Sequence, residues 1–122
     1  GRGARTLEGN SLDWRYIHVR RTLIMIEQSV KLATRAYVFE ANDASTWITV
    51  KSMISNFLQN LWKQGALAGA APEQAFDVQV GLGATMTPQD ILDGKMLITV
   101  KVALTRPAEF IVITFQQQMQ QS

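Results

Sequence analysis

The stretch "KMLITVKVALT", Lys95–Thr105, alternates apolar and polar side chains and predicts a β-strand with two unlike faces. The apolar face consists of Met96, Ile98, Val100, Val102 and Leu104. The polar face consists of Lys95, Thr99, Lys101 and Thr105. Because successive side chains of a strand point to opposite sides, we expect the apolar set to face a core and the polar set to face solvent.

A shorter strand of the same kind is predicted upstream, at "AFDVQVG". Its inward residues are Phe76, Val78 and Val80, and its outward residues are Asp77 and Gln79. The following "GLGATM" predicts a tight turn, since it lacks the lysine and the helix start of a phosphate-binding loop. "TPQDILDG" then predicts a short helix with Thr87 as N-cap, Asp90 three residues later and Gly94 past the end.

The end of the chain, "PAEFIVITFQQQMQQS" at Pro107–Ser122, predicts a strand that is apolar on both faces. One face consists of Phe110, Val112 and Thr114, and the other of Ile111, Ile113 and Phe115. A strand of this kind needs cover on both sides, so we interpret residues of about 107–122 as an arm that pairs with strand Lys95–Thr105 or with its equivalent in a neighbouring chain.

Two long helices precede the strands. The first has an apolar stripe at steps of three and four residues, formed by Tyr16, Val19, Leu23, Ile26, Val30, Ala33 and Tyr37. The second follows "EAND", where Asn42 or Asp43 can act as N-cap, and its stripe is Trp47, Val50, Ile54, Phe57 and Leu61, widened by Leu58 and Trp62. We expect Gly65 to end it.

The order of these elements indicates an α+β domain, with two long antiparallel helices packed on a small, mostly antiparallel sheet. The short connection between the helices leaves open whether they pack stripe to stripe or side by side on the sheet. A coiled coil is less favoured, because the two stripes are short and lack repeated charged flanks.

Composition excludes most site chemistry. The 122 residues include no cysteine and one histidine, His18, which has no partner at metal-ligand spacing, so we expect no disulfide, metal, cofactor or catalytic site. No apolar run has the length of a membrane span. The net charge is only +2 and the basic excess is confined to residues 1–22, so we expect no nucleic acid partner. Arg20 and Arg21 lie near the predicted helix start, where cations are unfavourable without an acidic partner.

Five segments, in order and spacing, resemble the C-terminal domain of contractile tail sheath proteins, found in myophage tails, R-type pyocins and extracellular contractile injection systems. The segments are "WRYIHVRRTLIMIEQSV", "FEANDASTW", "FLQNLWKQGALAGAAPEQAF", "DILDGKMLITVKVAL" and "RPAEFIVITF". One departure is Ala41, where the family usually has proline. By this resemblance, residues 14–122 are the sheath domain and residues 1–13 the end of a preceding domain or a linker.

The resemblance implies a structural, non-catalytic role in a sheath that surrounds an inner tube and drives it into a target. It implies that the domain faces the tube and that terminal arms of neighbouring subunits complete its sheet. The subunit-interface residues would be Phe110, Ile111, Val112, Ile113, Thr114, Phe115, Val100 and Val102. The candidates for contact with an acidic tube are Lys95, which we favour, and Lys31, Arg35, Lys51 and Lys63.

The implied partners are identical subunits in a helical assembly, the inner tube protein, and the baseplate and terminator proteins. The implied place of synthesis is the bacterial cytoplasm, with assembly into a phage tail or an extracellular tail-like particle. The alternative function is a small stand-alone module that binds protein or nucleic acid.

Overall fold

The computed structural model describes residues 2–105 and 109–120, with side chains for residues 14–104 and 109–120. The helices are α1 (Arg2–Arg35), α2 (Ala44–Lys63), α3 (Pro72–Ala75) and α4 (Pro88–Leu92). The strands are β1 (Phe76–Val80), β2 (Lys95–Thr105) and β3 (Glu109–Gln118). The predicted α+β class is confirmed, and α3 is an additional short helix. Residues 107, 108, 121 and 122 of the predicted arm lie outside the described residues.

The three strands form one antiparallel sheet in the order β1-β2-β3. In the middle of the sheet, Val100 of β2 lies opposite Val78 of β1 on one side and Ile113 of β3 on the other. The register between β2 and β3 shifts between Ala103 and Thr105. The third strand therefore belongs to this chain, and completion of the sheet by arms of other subunits stays a prediction.

The core lies on one face of this sheet. Its largest fully buried side chains come from β2 and from both long helices: Met96, Ile98, Val100 and Val102 of β2, Ile26 and Val30 of α1, and Val50, Ile54 and Leu58 of α2. Helix α2 packs against β1 and helix α1 against β3. The two helices therefore lie side by side on the sheet, which settles the alternative left open by the sequence.

Helix α1 starts earlier than its apolar stripe predicts. It runs from Arg2, so Arg20 and Arg21 lie in the middle of the helix and not near its start, and the predicted electrostatic cost at that position does not apply. Tyr16 was predicted to face the core but is 64% exposed, with the Arg20 guanidinium carbon 5.7 Å from its ring centroid. It lies at the end of the sheet, beside Leu104 and Ile111, where the core no longer covers it.

Helix α2 begins and ends where local sequence signals place it. The Asp43 side chain accepts a hydrogen bond from the Thr46 N–H, as expected of an N-cap. At the other end, Gly65 adopts a φ of 84°, and the N–H groups of Gly65 and Ala66 donate to Trp62 O and Leu61 O. This paired arrangement is the Schellman motif, and it satisfies carbonyls that the end of a helix leaves without partners.

The predicted capping box of the short helix α4 is also present. The Thr87 side chain accepts from the Asp90 N–H, and the Asp90 carboxylate accepts from the Thr87 N–H at 2.8 Å. Hydrogen bonds from the Thr87 backbone and hydroxyl lower the pKa of Asp90, with a smaller contribution from the charge of Lys95. The Asp90 carboxylate therefore stays ionised, and keeps its role in the cap, to a lower pH than a free aspartate would.

The end of the chain is anchored at the turn between the two long helices. Met119 is 2% exposed, and its N–H donates to Gly94 O. The next residue, Gln120, donates its N–H to Val38 O at 2.7 Å. In the same region the Asn42 amide donates to Lys95 O at 2.9 Å, while its oxygen accepts from the Trp47 indole N–H. These contacts join the helix turn, the start of β2 and the end of β3.

These contacts predict that the glutamine-rich end contributes to folding through its single methionine. We expect Met119→Ala to lower the free energy of unfolding by about 2–3 kcal/mol, because it removes a buried side chain and leaves a cavity. Urea denaturation followed by circular dichroism measures the change. Gln116→Ala, at an exposed position of β3, is the control and should change stability by less than about 0.5 kcal/mol. Equal unfolding midpoints for the two variants would show that the end of the chain is not part of the core.

Candidate subunit interface

The side of the sheet that faces away from the helices is partly apolar. Side chains directly opposite each other in a sheet share a face, and Lys101 lies opposite Asp77 of β1 and Val112 of β3. We define the outer sheet face as the side chains of Asp77, Thr99, Lys101, Phe110, Val112 and Thr114. Its two large apolar members, Phe110 and Val112, are 45% and 59% exposed.

A cation–π contact holds part of this face in place. The Lys101 ammonium lies 4.6 Å from the centroid of the Phe110 ring. The contact joins the end of β2 to the start of β3, next to the register shift.

The predicted subunit-interface residues fall into two groups. Phe110, Val112 and Thr114 lie on the outer sheet face, so an interface role for them stays a prediction. The other members belong to this chain's own core or its margin: Ile111, Ile113, Phe115, Val100 and Val102. Val100 and Val102 are fully buried on the central strand, which leaves no side-chain surface of either for another subunit. The period of two identified the two faces of β3 but not which one the chain would cover for itself.

The two outer strands of the sheet each have one unpaired edge within the described chain. β2 is paired on both sides, whereas β1 and β3 are paired only with β2. An edge strand presents N–H and C=O groups that can pair with another chain. The longer edge belongs to β3, whose ten residues include the exposed Phe110 and Val112.

The candidate tube-contact cations do not form one cluster. Lys31 and Arg35 are exposed one turn apart on α1, and Lys51 and Lys63 are exposed on α2. Lys95 is half-buried at the start of β2, next to the cap of α4. Residues 14–63, which contain the described side chains of the two long helices, carry seven lysines and arginines against three acidic residues. The helical side of the domain is therefore basic, and the favoured candidate Lys95 lies at its margin.

Sequence reasoning missed two contacts that shape this surface. The contact of Lys101 with Phe110 depends on the register between two different strands, and nothing in either strand alone indicates it. Asn42 was considered only as an N-cap, but its amide bridges α2 and β2. The adjacent Asp43 could have indicated this second role. A helix start needs only one N-cap residue, so with Asp43 as the cap the Asn42 side chain is available for another contact.

Other classes of site receive no support from the described residues. No group of three or more histidine, cysteine, aspartate or glutamate side chains is placed to hold a metal ion in that part of the chain. None of the helices within it has the length and hydropathy of a membrane span. His18 is exposed, as predicted for a surface residue.

Comparison with known proteins gives one consistent answer. The phage tail sheath C-terminal domain family matches residues 10–118. A chain in the cryo-EM structure of the anti-feeding prophage baseplate, 6-fold symmetrised, is 48% identical with a TM-score of 0.69, covering 82% of this chain and 28% of that chain. A chain of the PVC sheath complex, an extracellular contractile injection system in its contracted state, is 46% identical with a TM-score of 0.64, covering 75% and 26%.

A third structure, the anti-feeding prophage baseplate in its contracted state, is 40% identical with a TM-score of 0.68, covering 79% of this chain and 25% of that chain. No curated protein matches the chain significantly. The chain spans about a quarter of the length of the solved chains that it matches. Because the family match covers nearly all of its residues, the chain belongs to the phage tail sheath C-terminal domain family.

Proposed function

We propose that this domain is part of a structural subunit of a contractile sheath, which surrounds an inner tube and drives it into a target. The observation that carries the proposal is an α+β core whose sheet, within residues 2–105 and 109–120, has two unpaired edges and a partly apolar outer face. The family match and the similarity to chains of the PVC sheath complex and of the anti-feeding prophage baseplate support it. The role is mechanical and needs no catalytic residue, because contraction releases energy stored in an extended assembly.

The edge of β3 and the outer sheet face act together in this proposal. An arm from an identical subunit that pairs with the edge gains about 1 kcal/mol per hydrogen bond, whereas ordering each of its residues costs roughly 1–2 kcal/mol. Pairing alone therefore does not hold an arm. Apolar side chains must also be buried, at about 1.5–3 kcal/mol each, and Phe110 and Val112 supply the surface for them beside the edge.

The proposal predicts that Val112→Asp prevents assembly and leaves the domain folded. The side chain is 59% exposed, so the substitution costs the isolated domain no more than about 1 kcal/mol, while a desolvated carboxylate would be unfavourable in an interface. Negative-stain electron microscopy under assembly conditions counts the sheaths. Gln116→Asp, on the same face of the same strand but at a polar position, is the matched control and should still assemble. Sheaths of normal length and number from Val112→Asp would remove the outer sheet face from the interface.

The basic side of the domain is proposed to face the tube. Lys31 and Arg35 lie one turn apart on α1 and are both exposed, so they can contact one acidic group together. Exposed ion pairs contribute only about 0–1 kcal/mol each. Many such pairs along a tube hold it in register and still release it during contraction. Lys95 is less suited to this contact, since it is half-buried and attracted to Asp90.

This arrangement predicts that reversing both charges, Lys31→Glu with Arg35→Glu, gives sheaths that are mostly empty. The reversed pair would repel an acidic tube, and the defect should be smaller at high salt, because salt screens exposed charges. Electron microscopy measures the fraction of sheaths that contain a tube. The exchange Lys31→Arg with Arg35→Lys keeps both charges and should give tube-filled particles. If the reversed variant is equally filled, these two residues do not contact the tube.

The remaining partners follow from the same role. We infer that a subunit made in the bacterial cytoplasm joins identical copies in a helical array, with the baseplate and terminator proteins at its two ends. The assembled particle is a phage tail or an extracellular tail-like injection system. The similar chain of the PVC sheath complex, an extracellular contractile injection system, supports the second of these.

A further inference from the structure

One end of the domain is concave. A cleft of about 520 Å³ lies between the end of α2, the loop at residues 65–69 and the end of β2. Its walls are built by hydrogen bonds: the Trp62 indole donates to Gly69 O at 2.9 Å, and the Ala68 N–H donates to Ala103 O at 2.8 Å. We call this region the cleft end and define it by residues 62–69, His18 and Leu104. Lys63 and His18 are exposed on its rim, and its lining contains no acidic residue.

The opposite end of the domain carries an aromatic side chain that projects from a fixed turn. Phe39 is 79% exposed in the connection between α1 and α2. The connection is held on both sides of Phe39, because Val38 O accepts from Gln120 N–H and Asn42 donates to Lys95 O. We call this region the knob end and define it by residues 36–43, 90–95 and 118–120. Few large apolar side chains of the described chain are as exposed as Phe39. A large apolar side chain held in this position is typical of a protein contact site.

The two ends also differ in charge. The knob end carries the acidic residues Glu40, Asp43, Asp90 and Asp93 against one lysine, Lys95. Arg35, in the last turn of α1, only partly offsets this excess. Glu40 is exposed and adjoins Phe39, just as Lys63 is exposed and adjoins Trp62. The aromatic knob with acidic residues beside it thus has a counterpart in a cleft that is lined by Trp62, Leu67 and Leu104 among polar backbone groups and that has Lys63 on its rim.

We propose that successive copies of this chain contact end to end, with Phe39 of one copy seated in the cleft end of the next and Glu40 beside that copy's Lys63. The cleft is large enough for one aromatic side chain, and the Trp62 ring offers an apolar wall for it. The paired charges favour knob-to-cleft contact, since joining two knob ends or two cleft ends would bring like charges together.

One chain cannot make this contact with itself. The knob end and the cleft end lie at opposite ends of α2, whose 20 residues span about 30 Å. The contact is therefore between different surfaces of different copies, and contacts of this kind form open rows or helices when the rotation between copies does not close a ring. An open helical row is the arrangement that a sheath requires, and the inference rests on the proposed function in this respect.

The test uses cysteine cross-linking, for which this chain is suited because it contains no cysteine. Ala41→Cys and Gln64→Cys place one thiol beside Glu40 and one beside Lys63, both at exposed positions, and leave the charges intact. Because a disulfide needs Cα atoms within about 7 Å, the two thiols of one copy cannot pair with each other. Oxidation of the double variant should give a ladder of dimers, trimers and larger species on a non-reducing gel.

The matched control moves the second thiol along the same helix. Ala41→Cys with Asn56→Cys has two exposed thiols as well, but Asn56 lies two turns from the cleft end. We expect species above the dimer to be at least about fivefold less abundant in the control. Equal ladders, or no ladder from the Gln64 variant while circular dichroism shows a folded chain, would overturn the proposal.

Charge exchange provides a second measurement that does not depend on cysteine. Glu40→Lys and Lys63→Glu should each weaken self-association by about two- to fivefold in sedimentation velocity, and the two together should restore it. Losses that add without rescue would also overturn the proposal. Electron microscopy of the unsubstituted protein distinguishes failure of the end-to-end contact from failure of the proposed function. If the protein forms sheaths but the cysteine variant gives no specific ladder, only the end-to-end contact is refuted. If no sheaths form under assembly conditions, the proposed function is refuted as well.

Discussion

The central strand β2 is the constraint on which the rest of the structure depends. Its inward side chains Met96, Ile98, Val100 and Val102 are fully buried, so a shift by one residue would turn all four toward solvent. With the register of β2 fixed, the neighbouring strands and both long helices have one place to pack. The hydrogen bond from Asn42 to Lys95 O and the one from Ala68 to Ala103 O then tie both ends of α2 to the ends of this strand.

Placing both helices on one face of a three-stranded sheet leaves the other face open. A sheet of three strands with one covered face is enough for an independent core, as the burial of Phe115 and Met119 shows for the last strand and the segment after it. Because the sheet has only three strands and one covered face, two strand edges and a partly apolar surface lie outside the core of the described chain. In a soluble monomer such edges promote aggregation, whereas in a helical assembly they are the natural places for neighbouring copies to join.

Charge is distributed over this scaffold in a way that suits a structural protein. The helical side is basic and the turn side at Glu40, Asp43, Asp90 and Asp93 is acidic, although the net charge of the chain is only +2. A polarised surface with little net charge favours directed contacts over general attraction to any one kind of partner. The pKa of Asp90 is lowered by the hydrogen bonds of a helix cap, which is a structural role.

Features set by neighbours along the chain were determined by the sequence itself. The capping box at Thr87, the N-cap at Asp43 and the two faces of β2 all follow from interactions over a few residues, and the structure has each of them. The tertiary structure alone decided which face of β3 is covered, that Tyr16 is exposed, and that Met119 anchors the end of the chain. These outcomes depend on where the sheet ends and on which strands pair, and both are set by contacts between residues far apart in sequence, which periodicity cannot report.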